Sequence, residues 1–591
     1  MRFAMKFLVL LIAQPTGLLI AQVPPVDRSP IDLALSPNGR WCVTANRTSA
    51  TVSLIDVQSR AVVDEKPVAE RPEFVVFSPD GQAVVVSCSY GGTVEHFRLS
   101  DRRLEHVRSL HVGYLPQGLA FSPDGAWLFV ARLADGTVAV VNWPAGQIIQ
   151  TIPVGGWPRT MTLVSDGRRL VVAANADRRI TVVDTVERRI VFSTQITGLN
   201  FGHLAASRDG RSVYLPWTVY RRTPITPANI RLGWVLGSRI GRVDVADKNV
   251  PEPMPLDVPG KAVADPFGIA LSRDERWLVV AAGGTHELIV LRRDDLPLGD
   301  PTSGNHLPAA LRSDTERFCR IDLGGRPMAV QIGPDDRLAW VANYLRNCVQ
   351  VVDIHERKLV DEIRLGGPDE PSLARRGEML FYDARLSMDQ WYSCHTCHFE
   401  GGTNAEPIDT HNDGTTNTYK TVLPLYHVRH TGPWTWHGWQ DDLSAALVKS
   451  LTSTMQGPQP TNQELEALLA FLDQLSAPPS PFAGDSQLAD RIERGRQLFF
   501  GSRAGCSTCH RPPYFTDGKL HDVGLGSARD AYPSFNTPTL RAVFLRPRLL
   551  HDGRARSLEE VLSGPHAPQQ VAGEALSPEE LADLVAFLKT L

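Results

Sequence analysis

The fold is decided by a stretch that reads GLAFSPDGAWLFVA at residues 118–131. Apolar residues run into and out of a Ser-Pro-Asp-Gly turn, so the pattern predicts two short strands joined by a tight turn. A third apolar run follows at 137–141 and a fourth at 148–152. Four short strands within about 40 residues are typical of one blade of a β-propeller.

The same turn recurs along residues 28–367. Its last position falls at residues 39, 81, 125, 167, 210, 275 and 336, which are 42, 44, 42, 43, 65 and 61 residues apart. One blade cannot bury both of its faces, so seven copies predict a closed seven-bladed propeller. The two longest spacings predict insertions near 217–245 and 293–315. Such insertions are either docking or lid loops on one face or surface loops without a role.

Beyond residue 367 the sequence becomes helix-rich and is duplicated once. RGEMLFY at 376–382 matches RGRQLFF at 494–500, and ELEALLAFL at 464–472 matches ELADLVAFL at 580–588. The predicted fold class is therefore multidomain, an all-β seven-bladed propeller followed by two mainly α cytochrome c-like domains. We expect a signal peptide at 1–22, the propeller at 23–367 and the two domains at 368–480 and 481–591.

Each duplicated domain contains one Cys-x-x-Cys-His motif. In such a motif both thiols add across the vinyl groups of a haem, and the adjacent imidazole binds the iron. Two copies in duplicated domains favour haem over a redox dithiol or half of a zinc site. We therefore expect two covalently bound haem c groups, held by Cys394, Cys397 and His398 and by Cys506, Cys509 and His510.

The N-terminus and the composition limit where the protein works and what it binds. Residues 1–22 contain Arg2, Lys6 and two apolar runs, which predicts a secretory signal, with a retained anchor helix as the alternative. No later stretch is apolar enough to cross a bilayer, so we expect a periplasmic or otherwise exported protein without a stable membrane span. A net charge of −4 argues against a nucleic-acid partner.

Four further cysteines lie in β-patterned sequence, at Cys42, Cys88, Cys319 and Cys348. An oxidising compartment would permit disulfides among them. Buried free thiols in strands are the alternative. The sequence leaves both possibilities open.

Both halves of the sequence resemble known families. GAWLFVA at 125–131 and GTVAVVN at 136–142 are similar to the repeats of YVTN-type propellers. LFYDARLS at 380–387, FNTPTLRAV at 535–543 and HDG at 551–553 resemble bacterial di-haem cytochrome c peroxidases and the MauG-like enzymes of the same superfamily.

This second resemblance implies an activity, partners and cofactors. Hydrogen peroxide would react at the first haem, and the second haem would store or relay electrons. The reductant would be a small redox protein or, in the MauG manner, an oxidisable side chain of a protein substrate. Relatives also place one Ca²⁺ between the haem domains, which makes calcium a further cofactor to expect.

The resemblance also implies sixth ligands for the two irons. His411 falls where the peroxidases have a displaceable histidine at the first haem, and His427, His430 and His437 compete with it. At the second haem the family's methionine or tyrosine is absent, and His566 is the candidate in its place. A histidine ligand would lower the reduction potential of that haem relative to methionine.

One feature of the peroxidases is missing. They have a glutamate before a Met-Gly pair, whereas this chain reads STMQG at 453–457, with Gln456 in the corresponding segment. Loss of a general acid–base group typically costs about 10²–10⁴-fold in rate, so we expect slow peroxidase turnover. Trp434 and Trp436 are candidates for carrying electrons, although packing is the usual role of Trp. The alternative is a non-enzymatic electron-transfer protein that uses its propeller as a docking platform.

Overall fold

The computed structural model describes residues 26–164, 166–246, 251–300, 304–410, 417–571 and 573–591. The predicted signal at 1–22 lies outside these residues. Seven four-stranded antiparallel sheets come first and a helical region follows, which confirms the predicted fold class. Within the described ranges, no helix is both long enough and apolar enough to span a membrane.

Each blade of the propeller consists of four consecutive strands that pair in sequence order. The strands of the first four blades are β1 Pro30–Leu35, β2 Trp41–Asn46, β3 Thr51–Asp56 and β4 Ala61–Pro67; β5 Pro72–Phe77, β6 Ala83–Cys88, β7 Thr93–Ser100 and β8 Arg103–His111; β9 Pro116–Phe121, β10 Trp127–Arg132, β11 Thr137–Asn142 and β12 Gln147–Pro153; and β13 Pro158–Leu163, β14 Arg169–Ala174, β15 Arg179–Asp184 and β16 Arg189–Gln195. The strands of the last three blades are β17 Ala205–Ala206, β18 Ser212–Tyr220, β19 Leu236–Asp244 and β20 Glu252–Pro255; β21 Pro266–Leu271, β22 Trp277–Ala282, β23 Glu287–Arg292 and β24 Phe318–Asp322; and β25 Pro327–Ile332, β26 Leu338–Asn343, β27 Cys348–Asp353 and β28 Lys358–Arg364.

The repeated turn gives the first two strands of each blade the same geometry. Its last residue has a positive φ in all seven copies, at Gly39, Gly81, Gly125, Gly167, Gly210, Glu275 and Asp336. Glycine adopts this left-handed conformation without the steric cost of a Cβ, which explains why it occupies most of these positions. In five copies the serine of the turn also donates to an Asp or Asn side chain two residues later, as Ser122 Oγ does to Asp124 at 2.5 Å.

The ring closes between the first and the last blade. The innermost strand β1 packs against β5 on one side and against β25 on the other. The amide of Leu35 donates to Gln331 Oε1 at 2.8 Å across this junction. The second and third strands of most blades are almost entirely buried, whereas outermost strands such as β12 are exposed, so the apolar core follows the inner part of the ring.

The first insertion differs from the predicted loop. Part of 217–245 lengthens two existing strands, because β18 and β19 pair over nine residues, and the connection at 221–235 contains a short helix, α1 Pro227–Arg231. The tip contacts the helical region, where the Tyr419 hydroxyl donates to the Arg222 carbonyl oxygen at 2.9 Å. The second insertion contains α2 Ala309–Arg312 and packs through Leu311 on the propeller's own core.

The described part of the helical region is duplicated in structure as in sequence. Its α-helices are α3 Leu373–Phe381, α4 Cys394–Cys397, α5 Leu443–Lys449, α6 Asn462–Gln474, α7 Ala489–Phe500, α8 Leu558–Ser563, α9 Pro568–Val571 and α10 Pro578–Lys589. Two short strand pairs accompany them, Pro407–Ile408 with Lys420–Thr421 and Leu520–His521 with Phe535–Asn536. We call the part with α3 to α6 the first helical domain and the part with α7 to α10 the second.

One glycine in each helical domain lets two helices cross at close distance. Helix α3 crosses α6, and α7 crosses α10. A Cβ on Gly377 would lie 1.8 Å from the Ala467 carbonyl oxygen, and one on Gly495 would lie 1.9 Å from that of Asp583. Both distances are far shorter than a van der Waals contact, so only glycine lets the two helices of each domain approach this closely.

The structure describes all eight cysteines, and no two of them are joined by a disulfide. The four outside the haem motifs lie on strands of four different blades, with Cys42 on β2, Cys88 on β6, Cys319 on β24 and Cys348 on β27. The structure thus favours the buried-thiol alternative over disulfides in the propeller.

Candidate functional site

The first Cys-x-x-Cys-His motif forms one wall of a cavity of about 310 Å³ in the first helical domain. Cys394, Cys397 and His398 all line it. His398 Nδ1 is 3.0 Å from the Leu423 carbonyl oxygen, which fixes the ring and leaves Nε2 as the atom that can bind a metal. Burial lowers the pKa of His398 to about 4, so the imidazole is neutral, the form that coordinates iron, at neutral pH.

The second motif is arranged in the same way around a cavity of about 180 Å³ in the second helical domain. His510 Nδ1 is 3.0 Å from the Phe515 carbonyl oxygen, and burial lowers the pKa of His510 to about 4. Covalent attachment of a haem c needs two thiols, and binding of its iron needs a neutral imidazole at the same apolar cavity. The residues at both motifs meet these requirements.

His566 belongs to the second cavity. It lines that cavity together with His510. Burial lowers the pKa of His566 itself, and its buried Nδ1 has no hydrogen-bond partner in the structure. The structure therefore brings together the two histidines that the sequence suggested as the axial pair of the second haem.

The histidines proposed for the first haem are placed differently from one another. His411 lies outside the described residues. His430 is exposed and stacks on Tyr514 with ring centroids 4.7 Å apart, and His427 Nε2 accepts from the Ala477 amide at 3.2 Å. His437 lines the first cavity, with Nδ1 3.0 Å from the Ser534 carbonyl oxygen and a buried Nε2 that has no partner in the structure.

Trp436 lines both cavities. Its Nε1 donates to the Thr421 carbonyl oxygen at 2.8 Å, which holds the indole at the wall between the two motifs. Trp434 lines only the first cavity and donates from Nε1 to the Val428 carbonyl oxygen at 2.8 Å. The two candidate tryptophans are thus not equivalent, because only Trp436 contacts the space on both sides.

The segment that lacks the family glutamate also lies beside the first cavity. Gln456 is not among the residues that line it; its Nε2 donates to the Ser453 carbonyl oxygen at 2.5 Å. Met455 does line the cavity, with its sulfur 3.9 Å from Cys394 Sγ. None of the lining residues in the described part is Asp or Glu.

Lys449 was not singled out by its sequence, because a lysine at the end of an amphipathic helix normally faces water. Here it lines the first cavity and donates from Nζ to the Thr410 carbonyl oxygen at 3.0 Å and to Thr454 Oγ1 at 3.2 Å. Burial lowers the pKa of Lys449 to about 8. Its ammonium group can therefore release a proton near neutral pH.

The propeller holds the peptide segment of the first motif. Asp265 accepts hydrogen bonds from Ser393 Oγ at 2.5 Å and from Thr396 Oγ1 at 2.7 Å. Asn200 Nδ2 donates to the Thr396 carbonyl oxygen at 2.9 Å. Nothing in the sequence indicated these contacts, since Asp265 is 131 residues from Thr396 and lies in an unrelated repeat.

Glu400, two residues after the first motif, enters a group of arginines from four blades. Its carboxylate pairs with Arg47, and it lies 3.2 Å from Arg71 Nη2, 3.4 Å from Arg326 Nη2 and 3.7 Å from Arg159 Nη2. Burial by itself would raise the pKa of Glu400, but the guanidinium groups, Arg47 foremost, hold that pKa well below its usual value. The first helical domain is therefore joined to the propeller by a buried charge cluster.

The helical region is similar in sequence to known proteins. Residues 371–483 and 489–589 match the model of the di-haem cytochrome c peroxidase family. Hydrazine synthase subunit gamma of Kuenenia stuttgartiensis is 26% identical over 280 residues, 38% of this chain and 79% of that protein. The methylamine utilization protein MauG of Methylorubrum extorquens is 28% identical over 291 residues, again 38% of this chain and 79% of that protein.

A solved structure of hydrazine synthase from Kuenenia stuttgartiensis is similar in fold. It superimposes with a TM-score of 0.51 at 20% identity and covers 57% of this chain and 99% of that chain. At this identity the similarity concerns the fold alone.

Proposed function

We propose that the protein is an exported di-haem oxidoreductase with peroxidase-like activity. Its C-terminal region matches the model of the di-haem cytochrome c peroxidase family and is similar to MauG, and it follows a seven-bladed propeller. It reduces hydrogen peroxide with electrons from a small redox protein, or it oxidises a side chain of a protein substrate in the MauG manner. The observation that carries the proposal is Trp436, which lines both motif-bearing cavities.

Cys394, Cys397 and His398 would hold one haem and Cys506, Cys509 and His510 the other, and each would supply one-electron redox chemistry, with peroxide reduction at the first. His398 and His510 keep their Nδ1 atoms on backbone carbonyl oxygens, which orients Nε2 and raises its basicity. Trp436 closes the wall between the cavities and provides an aromatic bridge for electrons. Lys449 Nζ is the candidate proton donor of the first cavity, in the absence of a carboxylate from the described lining residues.

The second candidate function is electron transfer without catalysis. Two observations favour it. Gln456 is not among the residues that line the first cavity, whereas His437 lines it and has a buried Nε2 without a partner in the structure. If His437 or His411 occupies the sixth position permanently, peroxide has no free site on the iron. The propeller would then serve as a docking platform for a redox partner.

The location and the remaining partners follow from the sequence. The charged and apolar runs at 1–22 support export to the periplasm or beyond, where covalent haem attachment takes place. The net charge of −4 gives no support for a nucleic-acid partner. A Ca²⁺ between the helical domains stays a prediction from the family.

Optical and EPR spectra with and without hydrogen peroxide test the proposed function. We expect the resting or half-reduced protein to contain one high-spin, five-coordinate haem whose spectrum changes with peroxide or carbon monoxide. The physical reason is that only a displaceable or missing sixth ligand lets a small molecule reach the iron. Two low-spin haems that respond to neither reagent would leave electron transfer as the function.

His566→Ala tests the axial ligand of the second haem. Because His566 lines the second cavity together with His510, we expect its removal to abolish the low-spin signal of one haem and to leave the other unchanged. EPR spectroscopy of the oxidised protein measures both signals. His430→Ala is the matched control, because His430 is exposed and stacks on Tyr514. If His566→Ala and His430→Ala give the spectrum of the unaltered protein, His566 is not a ligand.

A further inference from the structure

The second cavity has a charge imbalance. Arg546 and Arg548 line it, and they are the only Arg or Lys side chains among the described residues that do so. No Asp or Glu of the described part lines the same cavity. The rest of the wall is mainly apolar, so two arginines line a space to which the described residues contribute no carboxylate. Burying a charge without a partner is costly, and such a pair therefore indicates an anionic ligand.

Arg546 has only neutral partners. Its Nη2 donates to the Thr539 carbonyl oxygen at 2.6 Å and to that of Arg541 at 3.3 Å, and its buried Nε has no partner in the structure. Burial lowers the pKa of Arg546 to about 10, and the one group that opposes this effect is the phenol of Tyr426. The protein thus provides hydrogen bonds to this guanidinium but no carboxylate.

Arg548 shares a single carboxylate with two other arginines. Its Nη2 lies 3.8 Å from Glu406, which also pairs with Arg178 and lies 4.0 Å from Arg222 Nη2. Burial and the neighbouring guanidinium groups lower the pKa of Arg548 to about 10. One glutamate cannot neutralise three arginines, so positive charge remains at the wall where the second cavity meets Glu406 of the first helical domain.

We propose that Arg546 and Arg548 bind the propionate carboxylates of the haem at the second motif. The proposal rests on the proposed function only in requiring that this motif carries a haem. A haem has two propionates on the edge opposite its vinyl groups, and the vinyl edge is fixed by Cys506 and Cys509. The propionates match the two guanidinium groups in number and in charge, and an Arg–carboxylate pair can form two parallel hydrogen bonds.

This arrangement connects the second haem to the propeller. Arg548 contacts Glu406 of the first helical domain, and Glu406 contacts Arg178 of the fourth blade. Positive charge beside a haem stabilises the reduced state, which carries one positive charge less than the oxidised state. Arg546 and Arg548 therefore raise the reduction potential of the second haem, against the lowering that a histidine sixth ligand causes.

Spectroelectrochemical titration of the full-length holoprotein tests the proposal. The variants are Arg546→Gln, Arg548→Gln and the double variant, with Arg546→Lys and Arg548→Lys as charge-conserving substitutions. Arg554→Gln is the matched control, because this exposed residue of the same segment pairs with Asp552 at 2.8 Å and does not line the cavity. A chain with both Cys506 and Cys509 replaced by alanine identifies which redox transition belongs to the second haem.

We expect each glutamine variant to shift the midpoint potential of the second haem to more negative values and the double variant to shift it furthest. The lysine variants and Arg554→Gln should keep the original potential, and the first haem should not respond to any of them. If the double variant does not fold, the single variants and their lysine counterparts decide. Equal shifts with glutamine and lysine, or no shift with either, would overturn the proposal.

Two further measurements distinguish bound propionates from a missing haem and from a solvent anion. Intact mass counts the attached haems, so a second motif without haem would refute the proposed function rather than the role of the arginines. Titration with acetate distinguishes propionate from a free carboxylate. We expect the potential not to depend on acetate. A potential that changes with acetate in the unaltered protein, but not in the double variant, would assign the arginines to a solvent anion instead.

Discussion

Replacement of both Cys506 and Cys509 by alanine is expected to leave a chain that carries one covalently bound haem instead of two. The thioether bonds are the only covalent links between protein and haem, and both thiols line the second cavity beside His510. Without them only axial ligation and the charge contacts of Arg546 and Arg548 would hold a haem in the second cavity, and denaturation releases both. Intact mass spectrometry under denaturing conditions measures the number of attached haems directly.

Two further chains serve as controls for this experiment. Replacement of Cys394 and Cys397 should remove the other haem, because the first motif has the same geometry around its own cavity. Cys319→Ala should keep both haems, since this half-buried thiol lies on an outer strand of the propeller. Two haems on the Cys506/Cys509 double variant would contradict the assignment of the second motif.

Glu400→Gln is expected to destabilise the protein by about 3–5 kcal/mol, the usual cost of removing one partner from a buried ion pair. Glu400 is the acidic group that the first helical domain contributes to Arg47, Arg71, Arg159 and Arg326. Without its charge, three buried guanidinium groups and the half-buried Arg71 share little more than Glu73, which pairs with Arg47 and Arg71. The free energy of unfolding in denaturant, followed by tryptophan fluorescence, measures the loss.

The matched control is Glu370→Gln, which removes the same charge from an exposed position just before the first helical domain. A surface substitution of this kind normally changes stability by less than about 0.5 kcal/mol. Limited proteolysis between the propeller and α3 gives a second measurement, because loss of the charge cluster should loosen this junction. Equal stability of the Glu400 and Glu370 variants would show that the cluster does not hold the two parts together.

The propeller has a structural role, because its residues hold the peptide segment of the first motif in place. Asp265 and Asn200 hold the residues between the motif cysteines, and Glu400 fixes the chain directly after His398. The two helical domains are built alike, yet the described contacts to Ser393, Thr396 and Glu400 have no counterpart at the second motif. The duplicated sequence therefore yields two unequal sites, and the propeller is the source of the difference at the first.

The insertion between β18 and β19 could be located from the sequence, but its structure could not. The spacing of the repeats placed the extra residues at 217–245 and did not show that they extend two strands toward the helical region. Strand length depends on which residues across the ladder can pair, and Ser212 pairs with Asp244 only after the blade has formed. A one-dimensional spacing does not contain that information.

The sequence by itself determined the number of blades, the duplicated helical domains and the two haem motifs. Each of these is recorded in local patterns: a turn that requires a positive φ at its last residue, a helix crossing that requires Gly377 or Gly495, and thiols spaced to meet one haem. Only the tertiary structure decided that Trp436 borders both cavities, that Glu400 enters the propeller and that Arg546 and Arg548 face the second cavity. Such relations join residues that are far apart in the chain, and their energy comes from burial and charge neutralisation that exist only once the domains have packed.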